Sequence, residues 1–246
     1  MLTEDERKRY ARQISIPGFG EEGQEKLRRS RVAIAGAGGL GSAVATYLVA
    51  AGVGYIRIID DDTVEISNLN RQILHGDSDI GRSKVTSAME RLSAVNPDVE
   101  VEGIKERITG ENAEDLVRGT DAVVDCLDNF GTRYVLNDAS IALRVPLFHG
   151  ACSEMGGQVA TIIPGKTACL RCIFPAAPPP GETPVMGSAV GTIGTIQATE
   201  VIKFISGTGN LLAGKILVYD GKIPACELID VERNYACPSC GGLNED

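Results

Sequence analysis

The sequence predicts an α/β fold: a Rossmann-like, mostly parallel sheet with helices on both faces, extended by antiparallel strands and a structural zinc site. Three observations predict it. A β-branched apolar run, Val32 to Ala35, leads into Gly36-Ala-Gly-Gly-Leu-Gly41 and then into a helix-forming stretch. From there to Gly150, strand-like and helix-like segments alternate, which is the βαβαβ pattern of a parallel, helix-covered sheet. Beyond Gly150 the alternation stops, and two Cys-x-x-Cys pairs appear.

The elements follow in order. Thr3 is placed to cap a first helix, with Glu6 three residues on completing a capping box, and that helix should run to about Arg12. Ile16-Pro-Gly-Phe-Gly20 breaks the pattern, and Glu22 to Arg29 reads as a short charged helix. After the Val32–Ala35 strand, Leu40 to Ala51 is the first crossover helix and Gly54 to Ile59 the second strand. Ile66 to Gln72 is polar, a loop or a turn of helix. Ser83 to Val95 is helical and ends at Asn96-Pro97. Val99–Ile104, Asp121–Cys126 and Pro146–Gly150 are strands; Asn112–Arg118 and Thr132–Leu143 are helices. Gly157–Ile163, Lys215–Tyr219 and Glu227–Glu232 are strands of an antiparallel extension. Pro175 to Pro184 holds five prolines and must be a loop. Ser188 to Ile205 is a helix rich in small residues, expected to be buried.

At 246 residues this is one domain, 1–246: N-terminal helices over 1–30, a nucleotide-binding half over 31–150 and an antiparallel, zinc-binding half over 151–246. The net charge of −9 argues against a nucleic-acid surface, which needs clustered basic residues. The N-terminus is charged from Glu4 to Arg9, unlike a secretory signal, and no apolar stretch approaches a membrane span. A cytoplasmic protein is the expectation. In such a chain paired cysteines serve metals more often than disulfides.

The glycine run follows G-x-G-x-x-G at Gly36, Gly38 and Gly41, in the strand–turn–helix setting that the dinucleotide fingerprint requires. Glycines let the backbone approach a phosphate, and the helix N-terminus offers it unpaired N–H groups and partial positive charge. Asp60, about twenty residues on at the end of the second strand, stands where an acid holds ribose hydroxyls. This pattern alone leaves NAD, FAD and ATP open. Cys169, Cys172, Cys237 and Cys240 form two Cys-x-x-Cys knuckles, enough thiolates for a closed tetrahedral zinc site.

The chain resembles the MoeB/ThiF/HesA family, bacterial relatives of ubiquitin-activating enzymes, over nearly its whole length. The resemblance rests on Arg9-Tyr-Ala-Arg-Gln13, the glycine run, Asp60 through Gln72, Gly81-Arg-Ser-Lys84, Asp125-Cys-Leu-Asp-Asn129 and the cysteine pairs. It implies an adenylyltransferase that uses ATP and magnesium. The substrate would be the C-terminal Gly-Gly carboxylate of a small ubiquitin-like sulfur carrier of the MoaD or ThiS kind, with pyrophosphate released. It implies a nucleotide site of Gly36, Gly38, Gly39, Gly41, Asp60, Ser67, Asn68, Leu69, Asn70, Arg71, Lys84, Asp128 and Asn129. It also implies that Arg12 reaches the triphosphate of a neighbouring subunit, hence a homodimer. The residue types suit the chemistry: Arg71 and Lys84 can meet charge growing on phosphate oxygens, Asn68 can donate a hydrogen bond, and Asp128 is a natural magnesium ligand.

Each assignment has a plainer competitor. Arg12 and Lys84 could be solvated helix charges, Arg71 could pair with Asp62, and Asp128 could cap the next helix; His149, near a strand end, could line the pocket but is expected to be a packed or hydrogen-bonded residue. A nicotinamide-dependent oxidoreductase or a non-catalytic nucleotide-binding scaffold would share the glycine run. The stretch Pro178 to Gly187 holds no cysteine, with Pro180 near where ubiquitin activators carry one. Outside the knuckles Cys126 and Cys226 are expected to be buried and inert, leaving only Cys152 near a pocket. The enzyme is therefore expected to stop at the adenylate, with sulfur coming from a separate donor.

Overall fold

Thr3 opens the first helix as a capping box: its hydroxyl accepts from the Glu6 amide at 3.2 Å, and the Glu6 carboxylate accepts from the Thr3 amide at 2.6 Å. The computed structural model describes residues 1–177, 183–223 and 225–243. Helix α1 spans Glu4–Arg9 only; Tyr10 breaks it, and a separate α2, Ala11–Ile14, carries Arg12. The break lets Tyr10 turn inward, where its hydroxyl accepts from the Asn96 amide at 2.8 Å. Helix α3 (Gly20–Arg29) leads to β1 (Arg31–Ala35), α4 (Gly39–Ala51) and β2 (Tyr55–Ile59).

The polar stretch contains a single 3-10 turn, Ile66–Asn68. Then follow α5 (Lys84–Val95), β3 (Glu100–Ile104), α6 (Ala113–Val117), β4 (Ala122–Asp125), α7 (Phe130–Leu143), β5 (Leu147–Ser153) and β6 (Gly156–Ile162). A one-turn helix that the sequence pattern misses, α8 (Leu170–Ile173), carries the first cysteine knuckle. Helix α9 (Gly187–Ser206) and strands β7 (Lys215–Asp220) and β8 (Ala225–Asp230) complete the described elements. β8 starts two residues earlier than the sequence suggests.

The eight strands form one sheet in the order β3-β2-β1-β4-β5-β6-β7-β8. Pairing is parallel from β3 to β5 and antiparallel from β5 to β8. One face packs under α4, α5 and α9 around Leu48, Ile56, Phe148 and Ile193. The other packs under α6 to α8 around Val123, Leu136, Leu147 and Leu170. Helix α9 is buried through Ala189, Val190, Ile193 and Ala198, as its small residues suggest.

Strand β8 departs from expectation: all six residues are exposed, Cys226 among them. It is the last strand in the sheet, and no described strand pairs with its outer edge. Just after the proline-rich loop, Val185 forms a bridge with Glu154, while Pro180 lies outside the described residues. No described helix is long and apolar enough to cross a membrane.

Candidate nucleotide and metal sites

The parallel strands end together where the chain reverses between β1 and β4, the place where open α/β sheets bind ligands. The turn after β1 is drawn tight. Gly36 has φ +103°, donates its amide to Ile59 O at 2.8 Å, and would place a Cβ 2.7 Å from Cys126 O. Gly41 presses its backbone against the same turn, since a Cβ there would lie 1.9 Å from Gly36 O. Any side chain at either position would push the turn off β4. The thirteen-residue helix α4 starts at Gly39, so its unpaired amides face the strand ends.

Asp60 ties this turn to the second strand. Its carboxylate accepts from the Ala37 amide at 2.7 Å and from the Asp62 amide at 2.9 Å. An ionised carboxylate has about four acceptor positions, so two remain for ribose hydroxyls. Lys84, expected at the first turn of its helix, is 6% exposed and donates to Asp62 at 2.8 Å. It is thus buried against Asp62 rather than solvated on the surface. Arg71 does not pair with Asp62; it donates to Ser67 O at 2.8 Å and Asn70 Oδ1 at 3.0 Å. Its carbonyl lies against Gly39 and its Cα against Gly187, which fixes the 67–71 segment between the glycine loop and α9. Asn68 is buried and closes its own turn by accepting from the Glu65 amide at 3.1 Å, while Leu69 is half-buried behind it.

Asp128 is exposed, and among the described residues its carboxylate accepts only from Asn129, at 3.2 Å. The cap of α7 is Asn129, which accepts from the Thr132 amide at 2.9 Å. Asp128 is therefore not the helix cap.

The sequence reading missed the group beneath it. Asp125, fully buried at the end of β4, faces His149 across the β4–β5 register, and His149 Nδ1 lies 2.7 Å from its Oδ2. Arg133 lies 3.7 Å from the other oxygen. Burial pushes the Asp125 carboxyl up, but Arg133's charge and the His149 hydrogen bond outweigh it and hold it below the usual range. Burial lowers His149 despite its hydrogen bond to Asp125, so the ring is neutral and donates from Nδ1. The expectation that His149 is hydrogen-bonded in the interior is met. His75, also buried, supports the glycine turn by contacting Ala37 O at 3.1 Å and Ser87 Oγ at 2.8 Å.

Arg12 is not brought to this site. Its neighbour Gln13 donates to Ala51 O at 2.8 Å, at the last turn of α4. The glycine loop lies at the other end of that helix, about 20 Å away for thirteen residues at 1.5 Å each. Arg12 is exposed, and its guanidinium has no partner among the described residues. A groove of about 500 Å³ beside it is lined by Gln13, Tyr47, Ala51, Thr195, Ala198 and Ile202.

The four cysteines of the two knuckles converge, their sulfurs all within 4.8 Å of one another. Cys169–Cys172, Cys169–Cys237 and Cys172–Cys240 are separated by 3.8, 3.6 and 3.4 Å. A tetrahedron of thiolates about 2.3 Å from a zinc ion has edges of about 3.8 Å, whereas a disulfide needs about 2.05 Å. The donor set fits zinc. Burial pushes the Cys169 and Cys240 thiols up, a penalty that a bound cation reverses. Around the knuckles, Ser239 donates to Asp138 at 2.7 Å, and Arg233 spans Gly165 O at 2.7 Å and Cys240 O at 2.6 Å.

Residues 10–239 match the model of the ThiF family. The chain belongs to the ThiF family. Among curated ThiF-like relatives, a sulfur carrier protein adenylyltransferase of Thermus thermophilus is 44% identical, the alignment covering 97% of this chain and 92% of that one. A SAMP-activating enzyme E1 of Haloferax volcanii is also 44% identical, covering 95% and 88%. An adenylyltransferase and sulfurtransferase MOCS3 of Drosophila sechellia is 43% identical over 97% of this chain but only 54% of its own length. Among solved structures, E. coli MccB with ATP superposes with a TM-score of 0.85 at 23% identity, covering 97% of this ThiF-family chain and 75% of that chain. That likeness concerns the fold.

Proposed function

We propose that this protein is an ATP-dependent adenylyltransferase that activates the C-terminal Gly-Gly carboxylate of a ubiquitin-like sulfur carrier of the MoaD or ThiS type. What supports the reading is the glycine turn tied to Asp60, with Lys84 buried against Asp62 and the Arg71 backbone packed on Gly39, in a chain whose relatives are named as carrier adenylyltransferases. The amides at the start of α4 would cradle the phosphates, and Asp60 would hold the ribose. Lys84 and Arg71 would meet the negative charge that builds as a carrier carboxylate oxygen attacks the α-phosphorus and pyrophosphate leaves. Asp128 would hold magnesium, which supplies charge neutralisation on the phosphate oxygens. Ser67, Leu69, Asn70 and Asn129 would frame the nucleotide. Zinc in the Cys169, Cys172, Cys237 and Cys240 site would be structural, since four thiolates leave no open position.

Arg12 sits too far from its own glycine loop for one side chain to cross, which supports its acting in a neighbouring subunit and thus a homodimer. Burial pushes the Cys152 thiol up to about 12, with Arg133 pulling only partly the other way, so it is no thiolate at neutral pH. This supports a reaction that ends at the acyl-adenylate, the sulfur being delivered by another protein. The test is exchange of labelled pyrophosphate into ATP with small carriers ending in Gly-Gly. Exchange should require the carrier and disappear when its last Gly becomes Val. No exchange with any such carrier, together with tight NAD binding, would replace this reading with the oxidoreductase one.

A further inference from the structure

We propose that Arg133 and Asp125 are positioning residues that set the Asp128 carboxylate for magnesium by gripping the backbone of Leu127. The inference rests on the reading of Asp128 as the magnesium ligand. Asp125 Oδ1 accepts from the Leu127 amide at 3.1 Å, and Arg133 Nη2 donates to the Leu127 carbonyl. Both polar groups of the residue before Asp128 are therefore held by buried charges. Arg133 also donates to Gly150 O at 3.1 Å, which braces it against β5, and its guanidinium lies over the Phe130 ring at 5.2 Å. Immediately after Asp128, Asn129 is fixed as the helix cap. Asp128 is thus an exposed carboxylate on a short loop whose two neighbours are both immobilised.

A stability role alone explains this pair poorly. Burying a carboxylate and a guanidinium is costly in desolvation, and the two stand 3.7 Å apart rather than in a bidentate pair. Arg133 Nε makes no hydrogen bond among the described residues, so the guanidinium is placed to serve the Leu127 and Gly150 carbonyls rather than Asp125. Groups behind a ligand orient it, and their loss typically weakens metal binding by about 10–100-fold.

The experiment is calorimetric. ATP affinity is measured with magnesium and with EDTA for wild type, Asp128→Ala, Arg133→Lys, Asp125→Asn and each of the last two combined with Asp128→Ala. Magnesium should tighten ATP binding to wild type, and Asp128→Ala should abolish that gain. Arg133→Lys and Asp125→Asn should cut it by about tenfold or more while leaving the affinity for metal-free ATP unchanged, and neither should cut it further in the Asp128→Ala background. A gain that survives Asp128→Ala overturns the magnesium reading of Asp128 itself. A gain lost in Asp128→Ala but kept in Arg133→Lys and Asp125→Asn, or losses that add, overturns the positioning role alone. Collapse of the fold in both Arg133→Lys and Asp125→Asn also overturns it, because the pair would then be a folding element.

Discussion

Asp128 and the two histidines carry the residue-scale consequences. Asp128→Ala should lower adenylation by about 100-fold or more, the scale of losing one preorganised transition-state group, with the fold intact because the side chain is exposed. Pyrophosphate exchange near the wild-type rate would contradict its role. His75 and His149, the chain's only histidines, are both lowered, burial being the larger cause in each. A base whose folded value lies below its unfolded value binds fewer protons when folded, so folding loses stability as pH falls below about 6.5. Both ring resonances should therefore titrate below pH 6.5 by NMR, and a midpoint at or above it for either would refute the buried assignments. The glycines, Asp60, Lys84 and Asp128 stand out as candidates in the sequence because each belongs to a short motif with local chemistry. The pairing of Asp125 with His149 does not, because they meet only through the parallel register of two strands 24 residues apart in sequence. The exposure of Cys226 is not legible either, because an apolar segment looks the same in a central strand and in the last one.

Among the elements, every strand was foreseeable from apolar runs and turn residues, whereas α8 was not. Four residues cannot show helical periodicity, and this helix is held by its neighbours: the Leu170 amide donates to Asn137 Oδ1 at 2.9 Å. Tyr10 has ordinary helix propensity, so the sequence alone carries the first helix on to Arg12, whereas the chain turns at Tyr10, whose hydroxyl is bonded to Asn96. The knuckle joins α8 to the tail across more than sixty residues, so metal binding should contribute directly to holding the C-terminal segment. Protein purified without chelator should contain about one zinc per chain by elemental analysis. Cys172→Ser or Cys240→Ser should lose it and melt more than about 5 °C lower, as a loss of ~2 kcal/mol would in a chain of this size. Zinc-free wild type with the same melting temperature would remove the metal from the account.

For the whole molecule, the placement of Arg12 at the far end of α4 makes a specific demand. Arg12→Ala and Asp128→Ala chains, each inactive alone, should regain activity when mixed, because half of the hybrid dimers' sites would have both groups. Failure to recover activity after demonstrated subunit exchange, or full activity as a monomer, would rule out catalysis across subunits. The fold class and its antiparallel extension followed from the order of strand and helix patterns. The distance separating Arg12 from the glycine loop did not, since it depends on the length and direction of a helix between them. Strand β8 has a different implication, for handling rather than catalysis. Among the described residues no strand pairs with its outer edge, which runs beside exposed Leu228 and Ile229 and is a ready template for another strand. Glu227 and Asp230 are the only charges along it, and Asp230 is already engaged by Lys215. As added salt screens these charges, the edge loses its electrostatic guard, and concentrated solutions should become prone to sheet-to-sheet aggregation there first.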